Sequence, residues 1–399
     1  MGKLHGILRA AVCTIHASCL SYADMKNILN ITHPTLLLDS EKCRKNIDRL
    51  CTKMAHRGIS FRPHFKTHQS REIGRWFRDY NVDKITVSSL RMARYFADDG
   101  WIDITVAFPV NLLEKEIINA LAGRIHLNLL AEDPDVLGQL DGLLHHQVGI
   151  FLKMDTGTHR TGIDPINIGQ VDACVRAIEK STHLVWKGFL SHAGHTYKVQ
   201  HQIPEMNKIY SQSLQGLQVL KEHYRTRYPD IQISFGDTPG ASIMDDFSGI
   251  DEMRPGNFVF YDIMQVQIGS CTAEDVAVAL ICPVVVCHQH RQECIIYGGG
   301  IHFSKDSILR DDNTSTFGML VPYVDGIWDS SREIGYIRSL SQEHGVIQVS
   351  VDEFHKIRPG QLVSILPVHS CMTAQCMGGY LDQSGRRVDH FASSVYYLQ

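Results

Sequence analysis

The sequence predicts a (β/α)8 barrel followed by a C-terminal domain built of β-strands. Between residues 32 and 263, short β-rich runs alternate with amphipathic segments, which is typical of a parallel sheet with crossover helices. About eight such repeats over roughly 200 residues match a closed barrel. From residue 264 onward, strand-like runs follow one another with only turn residues between them. A doubly wound open sheet is the alternative fold for the first part.

Residues 1–31 precede these repeats and are predicted to be a poorly ordered extension. Arg9 and His16 interrupt the apolar stretch GILRAAVCTIHASCL, and no small-residue cleavage site follows, so a signal peptide is disfavoured. The barrel segment is predicted to be 32–263. Its first run, TLLLD (35–39), stands apart from the eight repeats.

The eight repeats each begin with a run that predicts a barrel strand. These runs are ISFRPHFK (59–66), KITVSS (84–89), DITVAFPV (103–110), RIHLNLL (124–130), VGIFLKMD (148–155), VWKGFLSHAG (185–194), IQISFGD (231–237) and GNFVFYD (256–262). The intervening segments, such as MNKIYSQSLQGLQVLKEHY, have the periodicity of amphipathic helices. Residues 264–399 carry the later runs, including VAVALICPVVVC, ECIIYGGG and QLVSILPV, and are predicted to form the second domain.

Composition and charge exclude several classes of function. The chain has 399 residues, of which 44% are hydrophobic and 21% charged, and its net charge is −4. This charge gives no support for binding nucleic acid or an anionic membrane. No apolar run approaches the ~20 residues that span a bilayer. Eleven scattered cysteines, an odd number, predict reduced thiols in a cytoplasmic protein.

Polar side chains gather where the predicted strands end. Because the C-terminal ends of parallel barrel strands meet at one mouth, these side chains are expected to lie together. A buried lysine such as Lys66 needs a partner or a chemical task, and glycine-bearing turns suit a phosphate group. Together they indicate pyridoxal phosphate held as a Schiff base. Each feature taken singly fits a surface lysine, a core histidine or an ordinary turn. The strand-end residues are Lys66, Asp155, His159, Arg160, His192, His195, Tyr197, the turn 237–240 and the turn 254–257.

These motifs resemble those of the pyridoxal phosphate enzymes with the alanine racemase-type fold. Within that family they are most similar to the branch of the eukaryotic-type D-serine dehydratases and D-threonine aldolases. The resemblance covers the chain from Thr32 to its end and includes RPHFKTH, DTGTHRTG, SFGDTPG, RPGN, YGGGIHFSKD and SLSQEHG. It implies an alanine racemase-like fold, with a β domain that follows the barrel.

The resemblance implies a role for each matching residue. Lys66 is the catalytic, Schiff-base lysine, and Arg160 approaches the phenolic oxygen of the cofactor. Arg254 matches the position that faces the pyridine nitrogen in the racemases, although Glu252 on the same predicted strand is the alternative partner. The cofactor-binding set implied in this way is Lys66, Arg160, His192, Tyr197, Thr238, Arg254, Gly256 and Asn257.

The segment PVHSCMTAQ (367–375) contains a candidate metal pair. On a strand, His369 and Cys371 would point the same way because they lie two residues apart. Imidazole and thiolate suit Zn²⁺, and the resemblance makes this pair the site of a catalytic divalent metal. An alternative cluster occurs in CHQHRQEC (287–294), but that segment is better explained as an exposed hairpin turn.

The resemblance implies a lyase that converts D-3-hydroxy amino acids to a 2-oxo acid and ammonia by β-elimination. D-Serine, D-threonine and 3-hydroxy-D-aspartate are candidate substrates; His159, His195 and Lys198 could receive a second carboxylate or could be solvated loop residues. Retro-aldol cleavage to glycine and an aldehyde is the first alternative, racemisation the next and a non-catalytic pyridoxal phosphate carrier the last. The resemblance also implies a homodimer whose active site lies at the subunit interface.

Overall fold

The structure is a computed structural model and describes residues 29–199 and 202–392. The predicted N-terminal extension therefore lies almost entirely outside the described residues. Two large sheets organise the chain, and strand β1 (Thr35–Leu38) comes before the barrel sheet in sequence. No helix in the described ranges is both long and apolar enough to cross a lipid bilayer.

The first sheet is a parallel barrel, as predicted. Eight strands pair in the order β2-β9-β8-β7-β6-β5-β4-β3, and a parallel bridge between His64 and Thr86 connects the two ends. The Phe65 N–H donates to the Thr86 carbonyl at 2.8 Å, which closes the ring there. The strands are β2 (Ser60–Phe61), β3 (Lys84–Val87), β4 (Asp103–Pro109), β5 (His126–Ala131), β6 (Val148–Met154), β7 (Leu184–Ser191), β8 (Gln232–Phe235) and β9 (Glu252–Met253).

Two barrel strands differ from their predicted runs. The first ends at Phe61, so Lys66 lies in a turn beyond the strand. The last strand is Glu252–Met253, whereas the predicted run 256–262 forms a 3₁₀ turn at Asn257–Val259. The apolar residues of this run are buried in a compact turn. Periodicity alone does not distinguish such a buried turn from a buried strand.

Helices follow the barrel strands, and most of them begin with a side-chain cap. For example, the Ser70 hydroxyl accepts from the Ile73 N–H at 3.1 Å, which satisfies one of the free amides at the start of its helix. The helices up to the end of the barrel are α1 (Ser40–His56), α2 (Arg71–Trp76), α3 (Leu90–Ala97), α4 (Lys115–Ala122), α5 (Pro134–Leu143), α6 (Ile168–Lys180), α7 (Ile203–Tyr224), α8 (Thr238–Ile243) and α9 (Ile263–Ile268).

The second sheet has nine strands in the order β11-β18-β17-β14-β19-β10-β1-β20-β21. Most of it is antiparallel, as predicted for the C-terminal domain. Its strands beyond the barrel are β10 (Val278–His288), β11 (Glu293–Tyr297), β14 (Gly318–Val321), β17 (Gly335–Leu340), β18 (His344–Val349), β19 (Leu362–Pro367), β20 (Tyr380–Asp382) and β21 (Arg387–Val388). Two small hairpins are β12 (Ile308–Leu309) with β13 (Ser315–Thr316) and β15 (Tyr323–Val324) with β16 (Ile327–Trp328). Three short helices also belong here: α10 (Gly300–Phe303), α11 (Val351–Phe354) and α12 (Ser370–Met377).

Strand β1 corrects the predicted start of the barrel segment. It pairs antiparallel with β10 and parallel with β20, so it belongs to the C-terminal sheet although it precedes the barrel in sequence. The run is buried and apolar, and such a run fits either sheet; long-range pairing decides between them.

The hairpin of β10 and β11 corrects a second prediction. Its register places Cys287 opposite Cys294, and the two form a disulfide, whereas reduced thiols were predicted. The pairing arises because the turn between the two strands brings these positions face to face. The hairpin itself was predicted, and the disulfide occupies two of the four candidate ligands of the alternative metal cluster at 287–294.

Candidate active site

A cavity of about 240 Å³ opens at the C-terminal ends of the barrel strands, where residues of the second domain also reach it. Every residue predicted for the cofactor and the metal lines this one cavity. They come from six separate segments of the chain, which only the closed barrel brings together. The predicted residues in its lining are Lys66, Arg160, His192, Tyr197, Thr238, Arg254, Gly256, Asn257, His369 and Cys371.

Lys66 lies in a rigid turn that presents its side chain to the cavity. The neighbouring Phe65 is fully buried and packs against the rings of Phe77, Phe96 and Trp101 at centroid distances of 5.0–5.1 Å. Such close aromatic packing fixes the backbone on one side of the lysine. The side chain of Lys66 itself is exposed to the cavity, so the amine is accessible for chemistry.

Residues at the C-terminal end of the second domain hold the other side of the lysine turn. The Asp389 carboxylate accepts from the Ser70 hydroxyl at 2.7 Å and from the Arg71 N–H at 3.0 Å. The Tyr380 hydroxyl donates to the carbonyl of His68 at 2.6 Å. These contacts cap helix α2 immediately after the turn, so the second domain fixes the lysine that the barrel carries.

His192 forms one wall of the cavity as a neutral ring. Burial, together with the nearby charge of Lys66, lowers its pKa to about 3. Its Nδ1 lies 3.0 Å from the Gly236 carbonyl. Because a carbonyl only accepts, Nδ1 carries the proton and Nε2 does not. A neutral, oriented imidazole of this kind suits stacking against a flat aromatic group.

The segments around Thr238 and Gly256 form a cradle that fits an anionic oxygen group. The Thr238 hydroxyl, which can donate to an anionic oxygen, is buried and has no hydrogen-bond partner within the described residues. A Cβ at Gly256 would lie 2.9 Å from the His64 carbonyl, so only glycine permits this close approach of two turns. Unsatisfied buried polar groups in a native fold call for a ligand or water, and the predicted phosphate fits here.

Glu252 and Arg254 are separated by their partners. The Glu252 carboxylate accepts from Arg62 Nε at 2.7 Å and does not line the cavity. Arg254 does line it, and its Nε donates to the Ser234 hydroxyl at 2.7 Å. Burial lowers the Arg254 pKa to about 10, so the guanidinium stays charged at neutral pH. Of the two candidates for the pyridine nitrogen, the geometry favours Arg254.

The turn that carries Arg160 is shaped by Asp155. One oxygen of Asp155 accepts from the N–H groups of Gly157, Thr158 and His159 at 2.9–3.0 Å. Arg160 follows and lines the cavity. His159 points outward, with its ring 86% exposed and paired to Asp155. Arg160 is therefore the one residue of this turn that reaches the cavity.

Three further residues line the cavity: Lys153, which sequence reasoning missed, Asp237, which it placed at a strand end without a role, and His64, which lies in the motif RPHFKTH. Lys153 is 7% exposed, and burial lowers its pKa to about 8. Its Nζ donates to the Met154 carbonyl at 2.6 Å. Asp237, whose pKa burial raises to about 6, and His64 also line the wall. The signal for Lys153 was its position in the apolar run VGIFLKMD, where a lysine is as unusual as Lys66 is in its own run.

The metal pair occupies a helix start and not a strand, which corrects its predicted setting. Strand β19 ends at Pro367, His369 is the N-cap of α12 and Cys371 lies in its first turn. Burial alone would raise the Cys371 pKa, but the hydrogen bond and charge of His369 outweigh it and lower the pKa. His369 in turn has a pKa raised to about 11, against the effect of burial, by Asp306 and Cys371.

The surroundings of the pair fit a metal with open coordination positions. Asp306 accepts from His369 Nδ1 at 2.9 Å, which leaves Nε2 as the nitrogen that can bind a metal. Within the described residues no third histidine, cysteine or acidic side chain completes a cluster. Two protein ligands would leave positions for water and a substrate oxygen, as a catalytic site requires.

The chain matches two known domain families. Residues 38–263 match "Alanine racemase, N-terminal domain", and residues 277–381 match "Putative serine dehydratase domain". A D-serine dehydratase of Dictyostelium discoideum is 28% identical over 89% of this chain and 94% of its own length. The D-threo-3-hydroxyaspartate dehydratase of Delftia sp. is 26% identical over 88% of this chain and 94% of its own length.

Solved structures show the same fold. That of the Delftia enzyme covers 91% of this chain and 98% of its own, with a TM-score of 0.83 at 23% identity. Related structures include variants in which a histidine and a cysteine two positions apart are each replaced by alanine, one of them in a metal-free form. A D-threonine aldolase from Filomicrobium marinum covers 91% of this chain and 96% of its own, with a TM-score of 0.76 at 19% identity.

The barrel match covers more than half of the chain, and the second match accounts for most of the C-terminal sheet. The architecture and the domain matches agree with the resemblance read from the sequence motifs. The chain therefore belongs to the family with the alanine racemase-type barrel, in the branch that carries a serine dehydratase domain.

Proposed function

We propose that this protein is a pyridoxal phosphate- and metal-dependent lyase that eliminates water from D-3-hydroxy amino acids, giving a 2-oxo acid and ammonia. The observation that carries the proposal is that Lys66 and the pair His369–Cys371 line one cavity. A base for the α-proton and an electrophile for the β-hydroxyl are the two requirements of such an elimination. The named dehydratase relatives, which match along nearly the whole chain, support the same class.

The cavity residues divide the work of holding the cofactor. Lys66 would bind its aldehyde carbon, Thr238, Gly256 and Asn257 its phosphate, and His192 one face of its ring. When bound, pyridoxal phosphate supplies an electron-withdrawing ring that stabilises negative charge at the substrate α-carbon. Arg254 beside the pyridine nitrogen would keep that nitrogen unprotonated, because a permanent cation disfavours a second positive charge.

Lys66 would also have a second task, as a base. Its flexible stem and exposed amine place a nitrogen base at the cavity wall, where it can remove the α-proton. The packing of Phe65 on one side and the cap by Asp389 on the other keep the turn still while the amine moves. That combination of a fixed backbone and a mobile side chain suits both roles of the lysine.

His369 and Cys371 would hold the metal at the opening of the cavity. When bound, a divalent ion, which we propose to be Zn²⁺ from the ligand types, supplies a Lewis acid for the leaving hydroxyl. Asp306 holds the imidazole in the orientation and tautomer that direct Nε2 toward the metal. Thr67 and Asn257 contact the Cys371 sulfur at 3.3 and 3.4 Å, which fixes the second ligand.

Retro-aldol cleavage is the competing outcome, because a solved D-threonine aldolase shares the fold. Both outcomes need the same lysine and metal pair and differ in the bond that breaks. We propose elimination, because both curated relatives described above are named dehydratases. The products distinguish the two reactions directly.

The test is incubation of the protein with D-serine, D-threonine and 3-hydroxy-D-aspartate, with and without a chelator. We expect a 2-oxo acid and ammonia that disappear with the chelator and return with Zn²⁺. Glycine plus an aldehyde would establish the aldolase instead, and a visible cofactor band without turnover would favour a carrier. The matched variants are Cys371→Ala, expected to be inactive, and Cys376→Ala in the same helix, which does not line the cavity.

We also propose a homodimer in which the partner covers the cavity opening. Leu113 and Ile166 lie in loops that follow barrel strands at this end and are 92% and 85% exposed. A protein contact at this end of the barrel would bury both side chains. Gel filtration of the active protein tests this proposal, and a fully active monomer would contradict it.

A further inference from the structure

We propose that Asp262 is a positioning residue that couples the cofactor site to the metal site, so that binding of either group strengthens binding of the other. This inference rests on the proposed function. Asp262 does not line the cavity, and neither the sequence motifs nor the proposed reaction assigns it a role. It lies where the barrel ends and helix α9 begins.

One oxygen of Asp262 holds both sites. Asp262 Oδ2 accepts from Asn257 Nδ2 at 2.5 Å, and Asn257 belongs to the turn predicted to bind the phosphate. The same oxygen accepts from the backbone N–H of Ser370 at 3.0 Å and from its hydroxyl at 3.2 Å. Ser370 lies between His369 and Cys371, so its backbone is the backbone of the metal pair.

The other contacts of this group reinforce the link. Asp262 Oδ1 caps helix α9 through the Gln265 N–H at 3.0 Å, which fixes the carboxylate to the barrel side. Asn257 Nδ2 also lies 3.2 Å from the Ser370 hydroxyl and 3.4 Å from the Cys371 sulfur. A shift of either turn therefore moves donors that the other turn also uses.

Burial makes the group stiff. Asp262 is 1% exposed, Asn257 6% and Ser370 0%, so water cannot readily replace a lost hydrogen bond in this group. A buried carboxylate that loses a donor bears the cost of desolvation, which favours states in which all its donors are in place. A cofactor that orders the Asn257 turn would thereby order the Ser370 backbone. A metal bound to His369 and Cys371 would order the Ser370 backbone and, through Asp262, the Asn257 turn.

Linkage gives the coupling a measurable form. If the metal raises cofactor affinity by some factor, the cofactor must raise metal affinity by the same factor. Typical couplings of this kind are about 5- to 150-fold. We expect the protein stripped of both groups to bind pyridoxal phosphate at least about fivefold more tightly with saturating Zn²⁺ than with chelator.

The experiment is an absorbance titration of the stripped full-length protein with pyridoxal phosphate, with and without Zn²⁺, and without substrate. Asp262→Asn retains the size of the side chain but changes one acceptor into a donor, and it should bring the affinity ratio close to one. Asp39→Asn is the matched control, because Asp39 also caps a helix through its carboxylate but makes no contact with the cavity; its ratio should equal that of the wild type.

Ser370→Ala is the second variant, should Asp262→Asn fold poorly. It removes one of the two donors of Ser370 and should lower the ratio without abolishing it. A wild-type ratio near one, with both ligands bound, would overturn the inference and leave the proposed function intact. A wild-type ratio retained in both Asp262→Asn and Ser370→Ala would do the same. Failure of the wild type to bind pyridoxal phosphate at all would instead overturn the proposed function and the inference with it.

Discussion

The two ends of the barrel differ in how their charges are satisfied. The end opposite the active site has the larger cavity, about 940 Å³ against about 240 Å³ at the strand C-termini. At the larger one, Arg62 Nη1 donates to Asp103 at 2.6 Å and Arg62 Nε to Glu252 at 2.7 Å, so the buried guanidinium is paired with two carboxylates. At the smaller one, the Thr238 hydroxyl and the Asn257 amide oxygen lack partners within the described chain.

An apolar layer separates the two ends. Leu130, Phe151 and Leu190 form a buried cluster inside the barrel, with Ala107 packed against it. Leu130 and Leu190 line the smaller cavity and Phe151 the larger one. Cavity size therefore does not distinguish the candidate site, since the larger of the two cavities lies at the opposite end of the barrel. The end with paired charges stabilises the barrel, and the end with unpaired groups is available for ligands.

The largest difference between the two ends is expected in turnover, when one lysine at each end is replaced by alanine. Lys66→Ala should lower turnover by at least about 10³-fold, because it removes both the covalent anchor and the proton acceptor. Lys84→Ala, at the opposite cavity, should leave turnover unchanged. Steady-state release of 2-oxo acid measures both variants. A Lys66→Ala protein with a tenth of wild-type activity would break the comparison.

For the stability of the fold, in contrast to turnover, a substitution at the end opposite the candidate site should have the large effect. Arg62→Met leaves the Glu252 carboxylate, which is 1% exposed, without its ion-pair partner. The expected loss is about 3–5 kcal/mol in the free energy of unfolding, measured by urea denaturation of the cofactor-free protein. Lys187→Met is the control, because this lysine lines the same cavity but is exposed. Equal stability of both variants would show that the ion pairs do not support the barrel.

The contact between Asp306 and His369 should have a smaller effect that is confined to the metal. Asp306→Ala removes the acceptor that holds the imidazole, and metal affinity should fall about 10- to 100-fold. Zn²⁺ competition with a chromophoric chelator measures this change without any reaction. The control is Asp311→Ala, an exposed acidic residue in the same part of the chain. Unchanged affinity in Asp306→Ala would mean that the hydrogen bond does not orient the ligand.

The effect expected to be smallest near neutral pH is a pH dependence of stability, which comes from the buried histidines His68 and His192. Burial lowers the pKa of His68 and of His192 to about 3, so the folded protein keeps them neutral. The unfolded rings bind a proton below pH 6.5. Stability should therefore be unaffected above neutral pH and should fall as the pH drops from 6.5, by at most about 1.4 kcal/mol per pH unit for each ring.

His68→Asn tests this dependence. An asparagine oxygen can replace Nδ1 as the acceptor of the Ser70 N–H, which lies at 3.1 Å in the wild type. The variant should show a shallower loss of unfolding free energy between pH 6 and pH 4 while keeping its stability profile above pH 7. An unchanged acid slope would mean that His68 becomes protonated without unfolding.

Most residues that line the candidate site could be named from the sequence because they lie next to strand ends. Lys66, Arg160 and Thr238 each belong to a short motif that fixes the residue's position relative to the preceding strand. Closure of the barrel then brings the ends of these strands together. The contribution of the second domain was predictable only as a motif: the H-x-C spacing of His369 and Cys371 was recognised, but its helical setting was not. Two residues that are two positions apart lie on the same face of a strand but roughly half a turn apart on a helix. The spacing alone therefore does not determine the geometry of the pair.

What the sequence could not show were contacts between distant segments. Strand β1 joins the sheet formed about 240 residues later, and Asp389 caps a helix that begins at Arg71. Cys287 and Cys294 required the exact hairpin register. Lys153 was visible as an unusual residue within an apolar run but had no motif to assign it a task. In each case the local pattern fits two arrangements, and tertiary pairing selects one.

The cap by Asp389 has a consequence for how the protein is made. During synthesis the barrel segment emerges from the ribosome before residues 380–391. During that interval helix α2 lacks the Asp389 carboxylate that accepts from the N–H groups of its first turn. We therefore expect newly synthesised barrels to acquire their cofactor only after the end of the chain has docked. Tags or truncations near that end should accordingly impair loading of an otherwise folded protein.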